Sequence, residues 1–349
     1  MKKFVGGWGG RPAIRANDAD ASSGTTFADR PRIYDNVFII YEMEAGVGLK
    51  ESACQWVLQN MPYDRSDASL VMYLNGLDAH GLLVVYHNWM SRRVKPQPRI
   101  VAKSIAFQQN PLTAQRANDL AQIIDDIEQG RDLTKYLSRD IVRAVVQVPG
   151  QSPRRDLDLM LNDWGVHHLH ISTQVEADGF VRRDGPLLFA AFKPQIAYVI
   201  DIMKHGDWTR DHVLEVLASE WPNKGVIHEV KGVLGLKNPI TEEQRATLRR
   251  KHCNSAFEFR GKVFMPIGFM SAAGTTMAAG RGADQLLDRL NVFEQEFIRS
   301  PERLRADFER HGLAFPDKLE FEFAIREDGY GVIETKTRAW INLTGNQHA

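Results

Sequence analysis

At 349 residues the chain is longer than one ordinary core, which predicts two or three domains of roughly 100–150 residues each. Its 43% hydrophobic and 25% charged residues exclude wholesale disorder and a fibrous class, and no stretch approaches the ~18 apolar residues of a membrane span. With 44 basic and 44 acidic residues the net charge is zero, which argues against a dedicated DNA-coating protein.

Residues 1–36, rich in Gly, Asp, Ser and Ala, read as a flexible or loosely docked tail. Its start, Met1-Lys2-Lys3, has the charge of a signal peptide without the apolar core. An N-terminal α/β region, 37–98, holds predicted strands at 36–41 and 81–88 and a short amphipathic helix at 51–61. Within 99–222, an alternating strand at 99–107 leads into helices at 113–129, closed by Gly130, and 133–148, closed by Pro149-Gly150. A polar link, 150–156, precedes a short segment and strands at 166–173, 186–192 and 196–203, then a helix at 209–219. The C-terminal region, 223–349, reads as a strand at 226–233 and a helix at 241–252 opened by a capping box, Thr241 with Gln244. A hairpin over 257–267, helices at 284–299 and 301–311, and strands at 318–326 and 331–343 complete it. The class is α+β, multi-domain, with antiparallel or mixed sheets and flanking helices.

Cys54 and Cys253 stand far apart, which excludes a disulfide framework or a cysteine-rich zinc site and suits a reducing cytoplasm. Two basic clusters interrupt the even charge. Arg92, Arg93, Lys95, Arg99 and Lys103 form one; Arg245, Arg249, Arg250, Lys251, Arg260 and Lys262 form the other. Each is a solvated face or a surface for a polyanion.

The segment Asp163-Trp-Gly-Val-His167-His168-Leu-His170-Ile-Ser172 is the most unusual in the chain. On a strand, side chains alternate, so His168, His170 and Ser172 share one face while His167, Leu169 and Ile171 share the other. Imidazoles at this spacing suit acid/base work near neutral pH or a shared metal; ordinary strand histidines bonded to nearby carbonyls fit the pattern equally.

The predicted order strand, helix, helix, strand, strand, strand, helix over 99–222 resembles the RelE/HigB-type toxin ribonucleases of the barnase/RelE-like class. Gly185-Pro-Leu-Leu-Phe-Ala-Ala-Phe192, a turn, and Ala197-Tyr-Val-Ile-Asp-Ile-Met-Lys-His-Gly206 look like their core hairpin. The likeness covers about a third of the chain. It departs from the family at Leu187 and Leu188, where an Arg usually opens the strand, and at the inserted segment 148–165. The resemblance implies metal-independent cleavage of RNA, without a cofactor. In it His168, His170 and His205 are acid/base candidates, Lys204, Arg182 and Arg183 hold the phosphate, and Arg92 and Arg93 track the backbone. It also implies RNA as a partner and leaves room for a neutralising protein; a nucleic-acid- or protein-binding module with structural histidines is the alternative.

At the C-terminal end, Glu320, Glu322 and Glu334-Thr-Lys336, after Pro316-Asp317, resemble the PD-(D/E)XK nuclease signature, in which acids hold Mg²⁺ and the Lys orients water. Cross-strand ion pairs explain the same residues without a metal. The small-residue segment 268–280 reads either as an anion cradle of backbone N–H groups or as a site of close helix packing.

Overall fold

The computed structural model describes residues 14–15, 48–151, 157–183, 185–206, 210–298, 301–326 and 329–344. They form an α+β protein with three sheets, divided into two compact units. One comprises 62–73 and 84–281; the other comprises the described parts of 1–61, 74–83 and 282–349. No helix among the described residues is long and apolar enough to cross a membrane.

The larger unit is built on a four-stranded mixed sheet, in the order Ile100–Lys103, Ile196–Met203, Leu187–Phe192, His167–His170. The first pair is parallel and the others are antiparallel. Apolar residues on both faces explain its burial. Leu187, Phe189, Ala191, Tyr198 and Ile200 pack on one side against Val213, Leu214 and Leu217 of the helix His212–Glu220. Leu169, Ile171, Leu188, Ala197 and Val199 pack on the other against Leu120, Ile123 and Ile127 of the helix Ala117–Glu128. A three-stranded sheet in the same unit contains the hairpin Phe257–Phe259/Lys262–Met265, turned by Arg260 and Gly261, both at positive φ. Helix Glu242–Arg250 carries the expected capping box, Thr241 with Gln244.

The smaller unit holds an antiparallel sheet in the order Ile14–Arg15, Trp340–Asn342, Gly329–Glu334, Phe321–Arg326. Helix Leu49–Asn60 is fixed to its last strand by Ser52 Oγ, which accepts from the Phe323 N–H at 2.9 Å, and by the edge-on contact of Trp56 with Phe323. Of the tail read over 1–36, only the strand Ile14–Arg15 is described; the rest, and the strand read at 36–41, lie outside the described residues.

Several elements differ from the sequence expectation. Residues 81–88 lie within the helix Ala79–Ser91, with Leu82, Leu83, Val85, Tyr86 and Trp89 buried at helical spacing. Asp78 starts that helix, its carboxylate accepting from the Gly81 N–H at 2.8 Å. The strand expected at 99–107 stops at Lys103, where Ser104 caps the short helix Ile105–Gln109. In place of a helix over 133–148 stand two 3₁₀ turns, Thr134–Tyr136 and Arg139–Val142. The strand expected at 331–343 divides into Gly329–Glu334 and Trp340–Asn342.

Candidate active site

The chemistry-bearing groups gather where the strand His167–His170 ends, the strand Leu187–Phe192 begins and the strand Ile196–Met203 ends. Pairing sets His170 opposite Leu187, and Leu187 opposite Met203, so the three chain ends lie in one row. The 173–181 excursion leaves this row and returns to it. It turns at Gly179, is closed by the bridge between Val175 and Val181, and is anchored by buried Phe180 and Val181. Arg183 therefore arrives beside His170. A cleft of about 560 Å³ opens here, lined by His170, Arg183, Gly185, Pro186, Lys204, His205 and Leu112. The absence of a side chain at Gly185 admits the Arg116 guanidinium, which a Cβ there would meet at 2.8 Å.

Of the eight residues expected to form the site, the cleft brings together His170, His205, Lys204 and Arg183. It does not include the other four. His168 shares the face of His170, their rings 6.4 Å apart, but it points toward Asp158, with Nδ1 3.9 Å from Oδ2. Arg182 lies beside Gln174, to whose Oε1 it donates at 3.4 Å. Arg92 is buried and donates to the Asp140 carbonyl, and Arg93 stacks on Trp89 at 4.3 Å, so neither is the backbone-tracking surface expected of it. Packing also claims much of the second basic cluster. Arg245 and Arg249 turn inward to Asp211 and Asp163, at 2.8 and 3.0 Å.

Burial, reinforced by the positive charge of Arg183, pushes the His170 pKa down to about 4. At neutral pH its imidazole is therefore uncharged and able to accept a proton. Arg183 and Lys204 supply fixed positive charge on the same cleft, and no carboxylate stands among the described lining residues. This is an environment for an anion beside a neutral base.

Sequence reading missed a neighbouring constellation. Across from Phe189 stands Asp201, while Ala190 pairs with Val199, so Ile200 and Asp201 together oppose one residue in a β-bulge. The bulge turns Asp201 toward the face covered by the helix His212–Glu220. There Asp201 accepts from Asn110 Nδ2 at 2.7 Å and from the Ile202 N–H at 2.7 Å, and meets His212 Nε2 at 2.6 Å. The signal was a lone carboxylate inside the apolar run Ile196–Met203, which is costly to bury unless partnered.

The two remaining sequence motifs meet other demands. Glu334 is fully buried and uses Oε2 to accept from the Thr337 N–H and hydroxyl, both at 2.7 Å, so the chain turns there and exposed Lys336 lies on the turn instead of the strand. In 268–277 the N–H groups of Gly268, Met270, Ser271, Gly274, Thr276 and Met277 all donate within the protein, which leaves no anion cradle of those groups. Close packing explains the small residues: a Cβ at Gly268 would meet the Asn162 carbonyl oxygen at 2.1 Å. Among the described residues no three His, Cys, Asp or Glu side chains are grouped to hold a metal ion.

Compared with known proteins, the chain matches no family model, no curated sequence and no solved structure.

Proposed function

We propose that the His170 cleft binds a phosphodiester and that the protein is a metal-independent endoribonuclease. The observation that carries the reading is the convergence of a neutral buried imidazole, His170, with Arg183, Lys204 and His205 on one cleft. In this mechanism His170 removes the proton of the ribose 2′-hydroxyl, and the 2′-oxygen attacks the adjacent phosphorus. Arg183 and Lys204 hold the non-bridging oxygens, with His205 as a further donor to the phosphate. Burial is the main cause of the low His170 pKa and the Arg183 charge a lesser one, so a seated phosphate offsets only the Arg183 part and makes the imidazole somewhat more basic. The substrate proposed is cytoplasmic RNA, in keeping with the two free thiols, Cys54 and Cys253.

The test is cleavage of labelled single-stranded RNA in EDTA. The wild type is expected to cleave, and His170→Ala and Arg183→Ala each to lose about 100-fold or more. Cleavage that requires Mg²⁺, or that survives both substitutions, would move the chemistry away from this cleft. RNA retention without cleavage would make the protein a binding module.

A further inference from the structure

Gly185 lines the cleft, and the backbone there gives no reason for a glycine, since it is not among the glycines at positive φ. Nor does another stretch of backbone crowd it, as the Asn162 carbonyl crowds Gly268. Beyond its chain neighbours, what a Cβ at Gly185 would meet among the described residues is the head of Arg116, Nη2 at 2.8 Å and Cζ at 3.6 Å. The glycine therefore makes room for a guanidinium at the cleft wall. A second lining residue holds the same arginine. The Leu112 carbonyl accepts from the Arg116 N–H at 2.9 Å, and that spacing of four places both side chains on one face. Arg116 Nη1 reaches Asp119 Oδ2 at 3.4 Å, its one side-chain hydrogen bond among the described residues. Asp119 uses its other oxygen to accept from the Thr173 N–H and hydroxyl, at 2.9 and 3.0 Å. One carboxylate thus ties Arg116 to the start of the excursion that delivers Arg183.

We propose that Arg116 is a further phosphate-binding residue of this cleft, seated by Gly185 and oriented by the positioning residue Asp119. The assignment deepens the ribonuclease reading above and rests on it. A long, partly exposed ion pair such as Arg116 with Asp119 adds little to stability, so it does not by itself account for the space kept at Gly185. A guanidinium held at one end does account for it. Nη1 is turned to Asp119, which leaves the Nη2 end at Gly185 with donors for phosphate oxygens. The Arg116 side chain is 31% exposed, so that end is open to a ligand from solvent. Phosphates repeat along an RNA strand. Cations from three chain segments, at Arg116, Arg183 and Lys204, therefore suit a run of backbone rather than one isolated phosphate. Arg116 serves to hold that run, and the proton transfers stay with the groups already described.

The overlap at Gly185 supplies the test, because Gly185→Ala displaces the far end of one flexible side chain and meets nothing else described. Binding of a fluorescent 2′-O-methyl oligouridylate, which lacks the attacking hydroxyl, is measured by anisotropy over a series of NaCl concentrations. Cleavage of the matching unmodified RNA is the second readout. Arg116→Gln and Gly185→Ala are each expected to weaken binding about 10-fold. Each is also expected to lower the slope of log affinity against log salt by about 0.7, the share of one phosphate contact on a single strand. In cleavage, KM is expected to rise while kcat changes less than about threefold. Since Gly185→Ala acts through Arg116, adding it to Arg116→Gln is expected to weaken binding less than about twofold further. Unchanged affinity or salt slope in Arg116→Gln, a loss confined to kcat, or losses that add in full in the double variant would overturn the assignment; wild-type cleavage in the same assay would leave the ribonuclease reading standing. A wild type that binds the oligonucleotide but cleaves no RNA would remove the ribonuclease reading, and the salt slope would still decide the role of Arg116. One that neither binds nor cleaves would overturn both.

Discussion

His167 turns into the core while its neighbours His168 and His170 turn to the opposite face, and it does so with both ring nitrogens unpartnered. Its ring meets Phe192 edge-on at 5.3 Å, and burial pushes its pKa down to about 4. The unfolded imidazole has its ordinary value of 6.5. The folded state therefore binds fewer protons below pH 6.5, and stability falls with pH until it levels off below about 4. At about 1.4 kcal/mol per pKa unit, the amount lost is on the order of 3 kcal/mol. His167→Leu is expected to flatten this dependence between pH 6.5 and 4 and to be neutral or stabilising by about 1 kcal/mol at pH 7, because an apolar side chain leaves no polar group unsatisfied. Urea unfolding at a series of pH values checks it; an unchanged slope would show that another group titrates. The alternation over 167–171 was legible because a strand's period is two. The Asp201–His212 contact was not, because a bulge reverses local alternation and leaves no mark in the residue types.

At the scale of elements, the helix Ala117–Glu128 and the turn after it are joined through one buried carboxylate. Burial alone would raise the Asp126 pKa. Lys135 and Arg131 at 2.9 and 2.6 Å, the Tyr136 hydroxyl at 2.7 Å and Gln122 at 2.8 Å reverse that and hold it well below the usual range. Asp126→Ala strands the buried Tyr136 hydroxyl, while Arg131 and Lys135 still reach solvent, and is expected to cost about 2–3 kcal/mol, read as a lower urea midpoint; a cost under about 1 kcal/mol would show that the cluster is dispensable. This cluster also explains why 133–148 is not the helix its apolar residues suggest. Tyr136 and Lys135 are drawn back to Asp126, and the chain is held in 3₁₀ turns. The helix Ala79–Ser91 was misread for a different reason: eight apolar-rich residues do not distinguish the two periods, and the Asp78 cap outside the run decided it. In the C-terminal hairpin, the Glu334–Thr337 contact and positive φ at Arg338 break a strand that alternation alone would continue.

At the scale of the whole molecule, the strands Leu187–Phe192 and Ile196–Met203 were legible almost to the residue, as apolar runs bounded by turn residues. The parallel pairing of Ile100–Lys103 with the second of them was not, since it joins segments nearly a hundred residues apart. The cleft itself comes from the antiparallel pairs, where the strands His167–His170, Leu187–Phe192 and Ile196–Met203 end or begin in one row around His170, Lys204 and His205. Only half of the expected site residues reach it, because Arg92 and Arg93 are consumed by packing and His168 and Arg182 are directed to other partners. Under the proposed function, this cleft cleaves RNA by internal attack of the 2′-oxygen. The most direct measurement is the chemistry of the new ends on a labelled RNA treated with the wild-type protein in EDTA. The expected result is 2′,3′-cyclic phosphate and 5′-hydroxyl ends that disappear with His170→Ala. Ends bearing 5′-phosphate and 3′-hydroxyl, or an RNA left intact, would contradict it.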